Sequence, residues 1–317
     1  MLPHLFIVVN TFYQFLLTPF YIYVTLTPQP TGEYHVNNPA IPLKPGLHEN
    51  IDPATYHADP AVSNTGIKRL LSSPFDYWAF SPHNPLREFI PQPSSSALAA
   101  GSAFHCLLLE PHEFSKRFTV KDGVQSSRVP GTVGGGDLNN MMAAIEQLRA
   151  MPSVSKLFTD GKAEVTMVWD DEETGVRCRC RHDYFRQAHG MTVDYKTITD
   201  ISERDIDRQI VKFGYHIQAA FYLDGMKALK LGDHQDFVFV FQQRAFPFKV
   251  YATTLCDETI AIGRETYQLA LRQYVAIRDK FGFDQPWPSF EDKVHVRAYA
   301  DIHMHAPSID YGFMPHQ

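Results

Sequence analysis

Two acidic residues and a lysine lie close together in the stretch from Arg177 to Lys196. It reads R-C-R-C-R-H-D-Y-F-R-Q-A-H-G-M-T-V-D-Y-K. The pattern predicts two β-strands joined by a turn, with Asp183 near the end of the first strand and Asp194 and Lys196 on the second. Successive side chains of a strand point to opposite faces, so Asp194 and Lys196 share one face. The hairpin therefore predicts that two carboxylates and one ammonium group meet.

This set of side chains suits a divalent metal site. Mg²⁺ prefers hard oxygen ligands and usually takes one or two protein carboxylates besides waters and substrate phosphate oxygens. Asp183 and Asp194 fit that role, and Lys196 could orient or deprotonate an attacking water and offset charge on a phosphorane-like transition state. An ordinary hairpin with a surface Asp–Lys pair is the other interpretation, because D-x-K is short and common.

Composition and charge narrow the class of protein. With 317 residues, 44% of them hydrophobic and 20% charged, the chain is predicted to be globular with a well-buried core. The formal net charge of -6 argues against a protein that coats nucleic acid non-specifically, but not against a nuclease, whose carboxylates add negative charge. Basic residues are expected to cluster locally, as Arg177, Arg179 and Arg181 do on one strand face.

The four cysteines do not make a disulfide framework, and they suit a reducing, cytoplasmic compartment. Cys178, Cys180 and His182 could be interpreted as zinc ligands. Their i, i+2 spacing is typical of the apolar side of a sheet, and no C-x-x-C partner occurs elsewhere, so we favour buried thiols.

Residues 1–45 are predicted to be an apolar extension and a Pro-rich linker. The segment from Leu5 to Leu26 is uncharged and long enough for a membrane span or signal segment. Asn10, Gln14 and Pro19 interrupt it, no Lys or Arg precedes it and no small-residue cleavage site follows, so we favour an irregular or mis-started N-terminal extension over a membrane span. Pro, Gly and Asn mark the linker, and the folded unit is expected to begin near Gly46.

Helices are predicted from polar caps and 3.6-residue periodicity over a segment around Ile67 that Pro74 ends, and over residues 97–109, 139–150, 205–227 and 258–281. The second helix contains His105, and a lone histidine among apolar neighbours is more often a core residue than a ligand. Between the helices, four aromatic residues favour core packing over stacking on DNA bases, namely Phe75, Tyr77, Trp78 and Phe80.

The 205–227 helix is predicted to carry two stripes. Its buried face is expected to hold five residues, Ile206, Ile210, Phe213, Ile217 and Ala220. The second stripe comprises Tyr215, Gln218 and Tyr222. These side chains could point at a site, although tyrosines on a helix surface usually belong to its amphipathic packing.

Two further strand regions are predicted. Residues 163–169 alternate so that Glu164, Thr166 and Val168 share a face, which makes Glu164 a candidate to face the site. Residues 237–242 and 249–254 are expected to form an antiparallel pair.

Five segments, in this order, resemble the motifs of the PD-(D/E)XK nuclease superfamily: G-S-A-F-H-C-L-L-L-E-P, A-E-V-T-M-V-W, C-R-C-R-H-D, V-D-Y-K-T and Y-H-I-Q-A-A-F-Y. The similarity extends to the C-terminal nuclease domain of exodeoxyribonuclease VIII and related phage exonucleases, over about Gly46 to Trp287. The resemblance implies an α/β, restriction-endonuclease-like fold with a central mixed β-sheet flanked by helices. That domain would span residues 46–290, followed by an irregular tail at 291–317.

The resemblance also implies roles for individual residues. The metal ligands would be His105, Asp183, Asp194 and the backbone carbonyl of Tyr195. Lys196 would act on the nucleophilic water. Gln218 and Tyr222 match the Q-x-x-x-Y helix that lines the site, and Glu164 matches an acidic position on the preceding strand. His182 stands where the family has a proline before the first acid.

The implied activity is Mg²⁺-dependent hydrolysis of linear double-stranded DNA, with Mn²⁺ as a substitute, by in-line attack of an activated water. Digestion in the 5′-to-3′ direction would leave 3′ single-stranded tails for a single-strand annealing protein in recombination. Because an acidic protein binds DNA weakly from outside, we expect a ring-like homo-oligomer whose channel Arg177, Arg179 and Arg181 line. The alternatives are a non-catalytic DNA-binding or scaffold module on the same fold, and an endonuclease of the same superfamily.

Overall fold

The computed structural model of the protein describes residues 42–84, 87, 90, 96–123, 131–232 and 235–289. The predicted apolar segment and most of the predicted linker lie outside these residues, as does the predicted tail at 291–317. The first strand begins at Gly46, where the folded unit was expected to begin. Within the described ranges, no helix is long and apolar enough to cross a membrane.

The described residues contain nine strands: β1 (Gly46–His48), β2 (Val62–Ser63), β3 (Thr119–Lys121), β4 (Thr132–Gly134), β5 (Lys162–Asp170), β6 (Arg177–Arg186), β7 (Met191–Ile198), β8 (Asp236–Gln243) and β9 (Val250–Thr253). They also contain ten α-helices: α1 (Pro53–Ala58), α2 (Asn64–Ser72), α3 (Pro74–Phe80), α4 (Ser96–Leu109), α5 (Phe114–Arg117), α6 (Gly135–Arg149), α7 (Pro152–Ser155), α8 (Glu203–Lys212), α9 (Tyr215–Ala228) and α10 (Asp257–Phe281).

A mixed sheet organises the domain. Its strand order is β1-β5-β6-β7-β8-β9, with β2 paired to β6 outside that path, and β3 and β4 form a separate two-stranded sheet. The pair β7/β8 is parallel, whereas β5/β6, β6/β7 and β8/β9 are antiparallel. This arrangement confirms the predicted β6–β7 hairpin and the antiparallel pair formed by β8 and β9.

Helices cover both faces of the sheet. In β8, Phe237, Phe239 and Phe241 pack into one core, together with side chains of α2, α3, α9 and α10. The alternate residues Val238 and Val240 pack into the other core, with side chains of α4 and α6. A strand that is apolar on both faces belongs in the middle of such a layered domain.

The predicted 205–227 helix is wrong in one respect, because the chain breaks it into α8 and α9. Gly214 has φ 60°, a left-handed conformation that glycine adopts without steric cost and that ends α8. The break turns Phe213 outward, so that it is 45% exposed instead of buried. Pro74 also differs from expectation, since it both follows α2 and begins α3. The aromatic residues of α3 are core residues as predicted, with Tyr77 and Trp78 buried.

Helices α9 and α10 approach each other closely at Gly263 of α10. A Cβ atom added there would overlap the backbone carbonyl of His216, in the first turn of α9. Because α9 also carries Gln218 and Tyr222, this contact fixes the helix that lines the candidate site. Close backbone approach of this kind leaves room only for glycine.

We expect Gly263→Ala to lower the free energy of unfolding by about 1–3 kcal/mol, because the added methyl group must push α9 and α10 apart. Urea denaturation measures the effect. Gly136→Ala in α6 is the matched control, since a Cβ there meets no atom within 4 Å. Equal stabilities of the two variants would contradict the close approach.

Candidate active site

The site lies where β6 and β7 separate. β7 pairs with β6 only from Tyr184–Val193 to Arg186–Met191. Farther along the same edge of β6, β2 pairs with Cys178 and Arg179. The part of β6 between these two partners has β5 on one side and, among the described strands, none on the other. Asp183 stands in this opening on β6, and Asp194 follows Val193 on β7.

Three side chains of the types that ligate metals meet at the opening. One ligand atom each from His105, Glu164 and Asp183 lies within 4.8 Å of the others. His105 Nδ1 lies 3.5 Å from Asp183 Oδ2, and these two side chains remain 25% and 17% exposed. The cluster is therefore accessible from solvent and includes Glu164, as the alternation of β5 predicted.

Glu164 reaches this cluster from a strained position. Its φ is 54°, which is rare for a residue with a side chain. Ala163 and Val165 keep register with Tyr184 and His182 of β6, so Glu164 lies opposite Asp183. A conformation of this kind costs about 1–3 kcal/mol, and it is typical of functional sites.

Asp194 is held by two neighbours on the other side of the opening. Gln218 Nε2 donates a hydrogen bond of 2.6 Å to Asp194 Oδ1. Lys196 Nζ lies 2.6 Å from Asp194 Oδ2, which places both side chains on one face as predicted. Asp194 is therefore anchored beside the cluster of His105, Glu164 and Asp183.

Lys196 is a charged residue here. Burial lowers the pKa of Lys196, but the carboxylates of Asp194 and Asp183 outweigh it and raise that pKa above its ordinary value. In the metal-free site Lys196 is thus protonated, so it suits orientation of a water and stabilisation of negative charge rather than proton abstraction.

Tyr195 and Tyr222 each make a hydrogen bond to β6 at the opening. The Tyr195 N–H donates to Asp183 Oδ2 at 2.8 Å. Because the N–H and C=O of one strand residue point to the same edge, the Tyr195 carbonyl also points toward the opening. The Tyr222 hydroxyl donates to the Arg181 carbonyl at 3.1 Å, so it satisfies a backbone group of β6.

The carboxylates are electrostatically crowded. Burial, with a contribution from Asp183, raises the pKa of Glu164 to about 7, against the opposing effect of Arg181. Burial also raises the pKa of Asp183, which His105 lowers and Asp194 raises further. A divalent cation at this place would relieve that repulsion, and the oxygen-rich donor set fits a hard cation.

Arg177, Arg179 and Arg181, which we expected to line a DNA channel, each make contacts within the domain. Arg177 pairs with Asp170. Arg179 is buried, donates to the Tyr56 carbonyl and lies 3.9 Å from Asp59. Arg181 donates to Thr166 and the Ile51 carbonyl and lies 3.8 Å from Glu164. These contacts stabilise the domain, and Arg181 lies beside Glu164.

Cys178 and Cys180 are buried free thiols in the apolar core, as predicted. Burial lowers the pKa of His182 to about 3, so this histidine is neutral, and its Nδ1 lies 2.8 Å from Thr192 Oγ1. His182 therefore is a core residue between the strands, and the zinc interpretation is not needed.

The sequence matches the family model of a PDDEXK-like domain of unknown function (DUF3799) over residues 63–286. The chain belongs to this family. The matched range begins in β2 and ends after α10, so it includes both strands of the opening and both helices that reach it. The predicted PD-(D/E)XK relationship and fold class are confirmed.

A solved structure has the same fold as this PDDEXK-like domain. It is the crystal structure of a candidate exonuclease from Eubacterium rectale, with 16% sequence identity and a TM-score of 0.54. The similarity covers 77% of this chain and 93% of that chain. No curated protein matches the sequence.

One residue of the PDDEXK-like site was not predicted. Lys68 of α2 has its Nζ 5.9 Å from the centre of the Tyr215 ring, and the Lys196 Nζ lies 5.1 Å from the same centre. Burial and the neighbouring Lys196 lower the pKa of Lys68 to about 8. A single lysine on an amphipathic helix gives no sequence signal, because most such lysines are surface residues.

The raised pKa of Glu164 predicts a pH-dependent stability for the metal-free protein. The folded pKa of about 7 exceeds the ordinary value of 4.5. The folded state therefore binds the proton more tightly, and stability falls as pH rises from about 5 to 7. In Glu164→Gln, the fall in the free energy of unfolding between pH 5 and pH 7 should be smaller by about 2 kcal/mol.

Thermal unfolding in excess chelator between pH 5 and pH 8 measures the difference. Glu49→Gln is the control, because that carboxylate is 48% exposed and pairs with Lys162. Parallel pH profiles of wild type and Glu164→Gln would contradict the predicted pKa of Glu164.

Tyr222→Phe should cost about 0.5–1.5 kcal/mol of stability, because the Arg181 carbonyl loses its hydrogen-bond donor. Divalent-metal affinity should change little, since no contact of the Tyr222 hydroxyl with the carboxylates is seen among the described residues. Urea denaturation and metal titration by calorimetry measure the two effects. A large loss of metal affinity at unchanged stability would show that Tyr222 acts on the ligands instead.

Proposed function

We propose that this protein is a metal-dependent nuclease that hydrolyses phosphodiester bonds of DNA. The observation that supports the proposal most is the pairing of the Asp194–Lys196–Gln218 group with the His105–Glu164–Asp183 cluster across one opening. Family membership supports the same class of function.

The cluster fits a divalent cation by its chemistry. His105, Glu164, Asp183 and Asp194 would hold the ion, with the Tyr195 carbonyl as a further oxygen donor. We propose Mg²⁺, with Mn²⁺ as a substitute, because carboxylate and carbonyl ligands suit these ions and an imidazole is compatible with Mn²⁺. When bound, such an ion activates water and stabilises charge on the transferred phosphoryl group.

The residues of the chain prepare the site for this chemistry. Gln218 fixes the Asp194 carboxylate, so its orientation does not depend on the substrate. The Lys196 ammonium, already protonated, orients the attacking water and counters the charge that develops on phosphate oxygens. The Tyr222 hydroxyl satisfies the Arg181 carbonyl where β6 and β7 separate, which is the place we propose for the scissile phosphate.

For the substrate we propose ends of linear duplex DNA, degraded 5′-to-3′ to leave 3′ tails for an annealing partner, as in the exodeoxyribonuclease VIII group. A cytoplasmic location agrees with the four free cysteines. A homo-oligomeric ring remains part of the proposal, and because Arg177, Arg179 and Arg181 make contacts within the domain, other basic residues would contribute to its channel surface. A scaffold function without catalysis is disfavoured because the acids, the histidine and the lysine are all present.

Asp194→Asn and Lys196→Met should each lower the Mg²⁺-dependent cleavage rate by about 100-fold or more, because each removes a charge from the site but preserves volume. Activity should vanish in excess chelator and return with Mg²⁺ or Mn²⁺, whereas Ca²⁺ should bind without supporting turnover. Asp170→Asn, which removes a carboxylate at the end of β5, beside Arg177, is the control. Near wild-type cleavage by Asp194→Asn would refute the assignment.

End dependence is tested by comparing end-labelled linear duplex with covalently closed circular duplex. Linear DNA should be degraded, and circular DNA should survive, if a free end must enter the site. Equal rates on both substrates would favour the endonuclease alternative. The labelled end that disappears first gives the polarity.

A further inference from the structure

The break between α8 and α9 presents an aromatic ring near the candidate active site. Phe213 is the last residue before Gly214, whose left-handed conformation turns the chain outward. The Phe213 side chain is consequently 45% exposed, although its spacing along the sequence predicts a buried residue. An exposed phenylalanine at the edge of a site is a candidate contact for a ligand with a flat apolar face.

A short aromatic series connects this ring to Lys196. The Phe213 and Tyr215 rings are stacked, with centroids 5.8 Å apart and an angle of 29° between their planes. The Tyr215 ring in turn lies 5.1 Å from Lys196 Nζ and stacks on the buried ring of Phe239. Phe213 is thus separated from Lys196 by one ring, and 45% of the Phe213 side chain is exposed.

Two further lysines flank the same rings. Lys212 Nζ lies 5.4 Å from the centre of the Phe213 ring, and Lys68 Nζ lies 5.9 Å from the centre of the Tyr215 ring. The Lys68 side chain runs along Gly214, where an added Cβ would lie 3.5 Å from its Cε atom. Within the part of the chain that the structure describes, no carboxylate forms an ion pair with Lys68 or Lys212.

Rings with unpaired cations beside them match the chemistry of a nucleotide strand. Each nucleobase offers a flat π-face to an aromatic side chain, and the flanking phosphates offer charge to lysines. A nucleotide strand uses both features at once, whereas a free phosphate would use only the lysines.

We propose that Phe213 is a stacking platform for a nucleobase adjoining the scissile phosphate, and that Lys68 and Lys212 bind the phosphates of that strand. The inference rests on the proposed nuclease function and adds to it a defined position for the DNA strand. Phe213 would act as a positioning residue, since it holds the substrate but does not touch the reacting atoms.

The test uses the full chain and linear duplex DNA that carries 2-aminopurine near its end. Binding is measured in Ca²⁺ and turnover in Mg²⁺. Phe213→Leu keeps an apolar side chain but removes the ring, so we expect the KM and the Kd to rise about tenfold with little change in kcat. The change in 2-aminopurine fluorescence on binding should shrink, and Phe213→Trp should restore both.

Phe246→Leu is the matched control, because Phe246 is 85% exposed on the turn between β8 and β9 but contacts only Phe248 among the aromatic rings of the described residues. Lys68→Gln and Lys212→Gln should each reduce the slope of log Kd against log salt by about one. Equal thermal midpoints of wild type and Phe213→Leu confirm that the fold is unchanged.

The outcomes separate the two proposals. If wild type cleaves DNA and Phe213→Leu has wild-type KM and fluorescence response, the stacking inference is overturned and the nuclease proposal stands. If Phe246→Leu weakens binding as much as Phe213→Leu does, the specific position of the platform is also overturned. If wild type shows no metal-dependent cleavage, the proposed function fails.

Discussion

The candidate site depends on one backbone constraint, which is the incomplete pairing of β6. A buried N–H or C=O group that loses its strand partner needs another one, because leaving it unpaired costs about as much as a lost hydrogen bond. Here the Tyr222 hydroxyl takes the Arg181 carbonyl, and the Asp183 carboxylate takes the Tyr195 N–H. The side chains that satisfy the opened strands are thus the same ones that bring a carboxylate and a helix to the opening. The separation of β6 and β7 is stabilised by the polar groups of the site.

The charges of the site are balanced in pairs, but the balance is incomplete. Lys196 and Gln218 hold Asp194, and His105 lies beside Asp183. Among the described residues, the ion pair of Glu164 is the longer one with Arg181, at 3.8 Å, and Glu164 occupies a strained backbone position. Partly buried carboxylates with raised pKa values store unfavourable electrostatic energy in the metal-free protein. A bound cation converts that energy into affinity, so the arrangement favours metal binding at some expense of stability.

Much of this arrangement could be predicted from the sequence, since it follows from local periodicity. Alternation along β7 places Asp194 and Lys196 together, and the helical spacing of Gln218 and Tyr222 directs both toward the sheet. Three features could not be predicted. The break at Gly214 depends on a single conformation that competes with a continuous apolar stripe. The pairing of Arg179 with Asp59 joins residues far apart in the sequence. Lys68 belongs to the site because α2 packs against α9, and this tertiary contact leaves no local pattern.

Helix α9 contributes three side chains that contact the site. Tyr215, Gln218 and Tyr222 follow one another at intervals of three and four residues, so they lie on one face of the helix. Each contacts a different part of the opening: Tyr215 the Lys196 ammonium, Gln218 the Asp194 carboxylate and Tyr222 the backbone of β6. The close approach at Gly263 fixes the same helix from behind. Because one helix holds all three contacts, a shift of α9 would move the surroundings of Lys196, the Asp194 carboxylate and the backbone of β6 together.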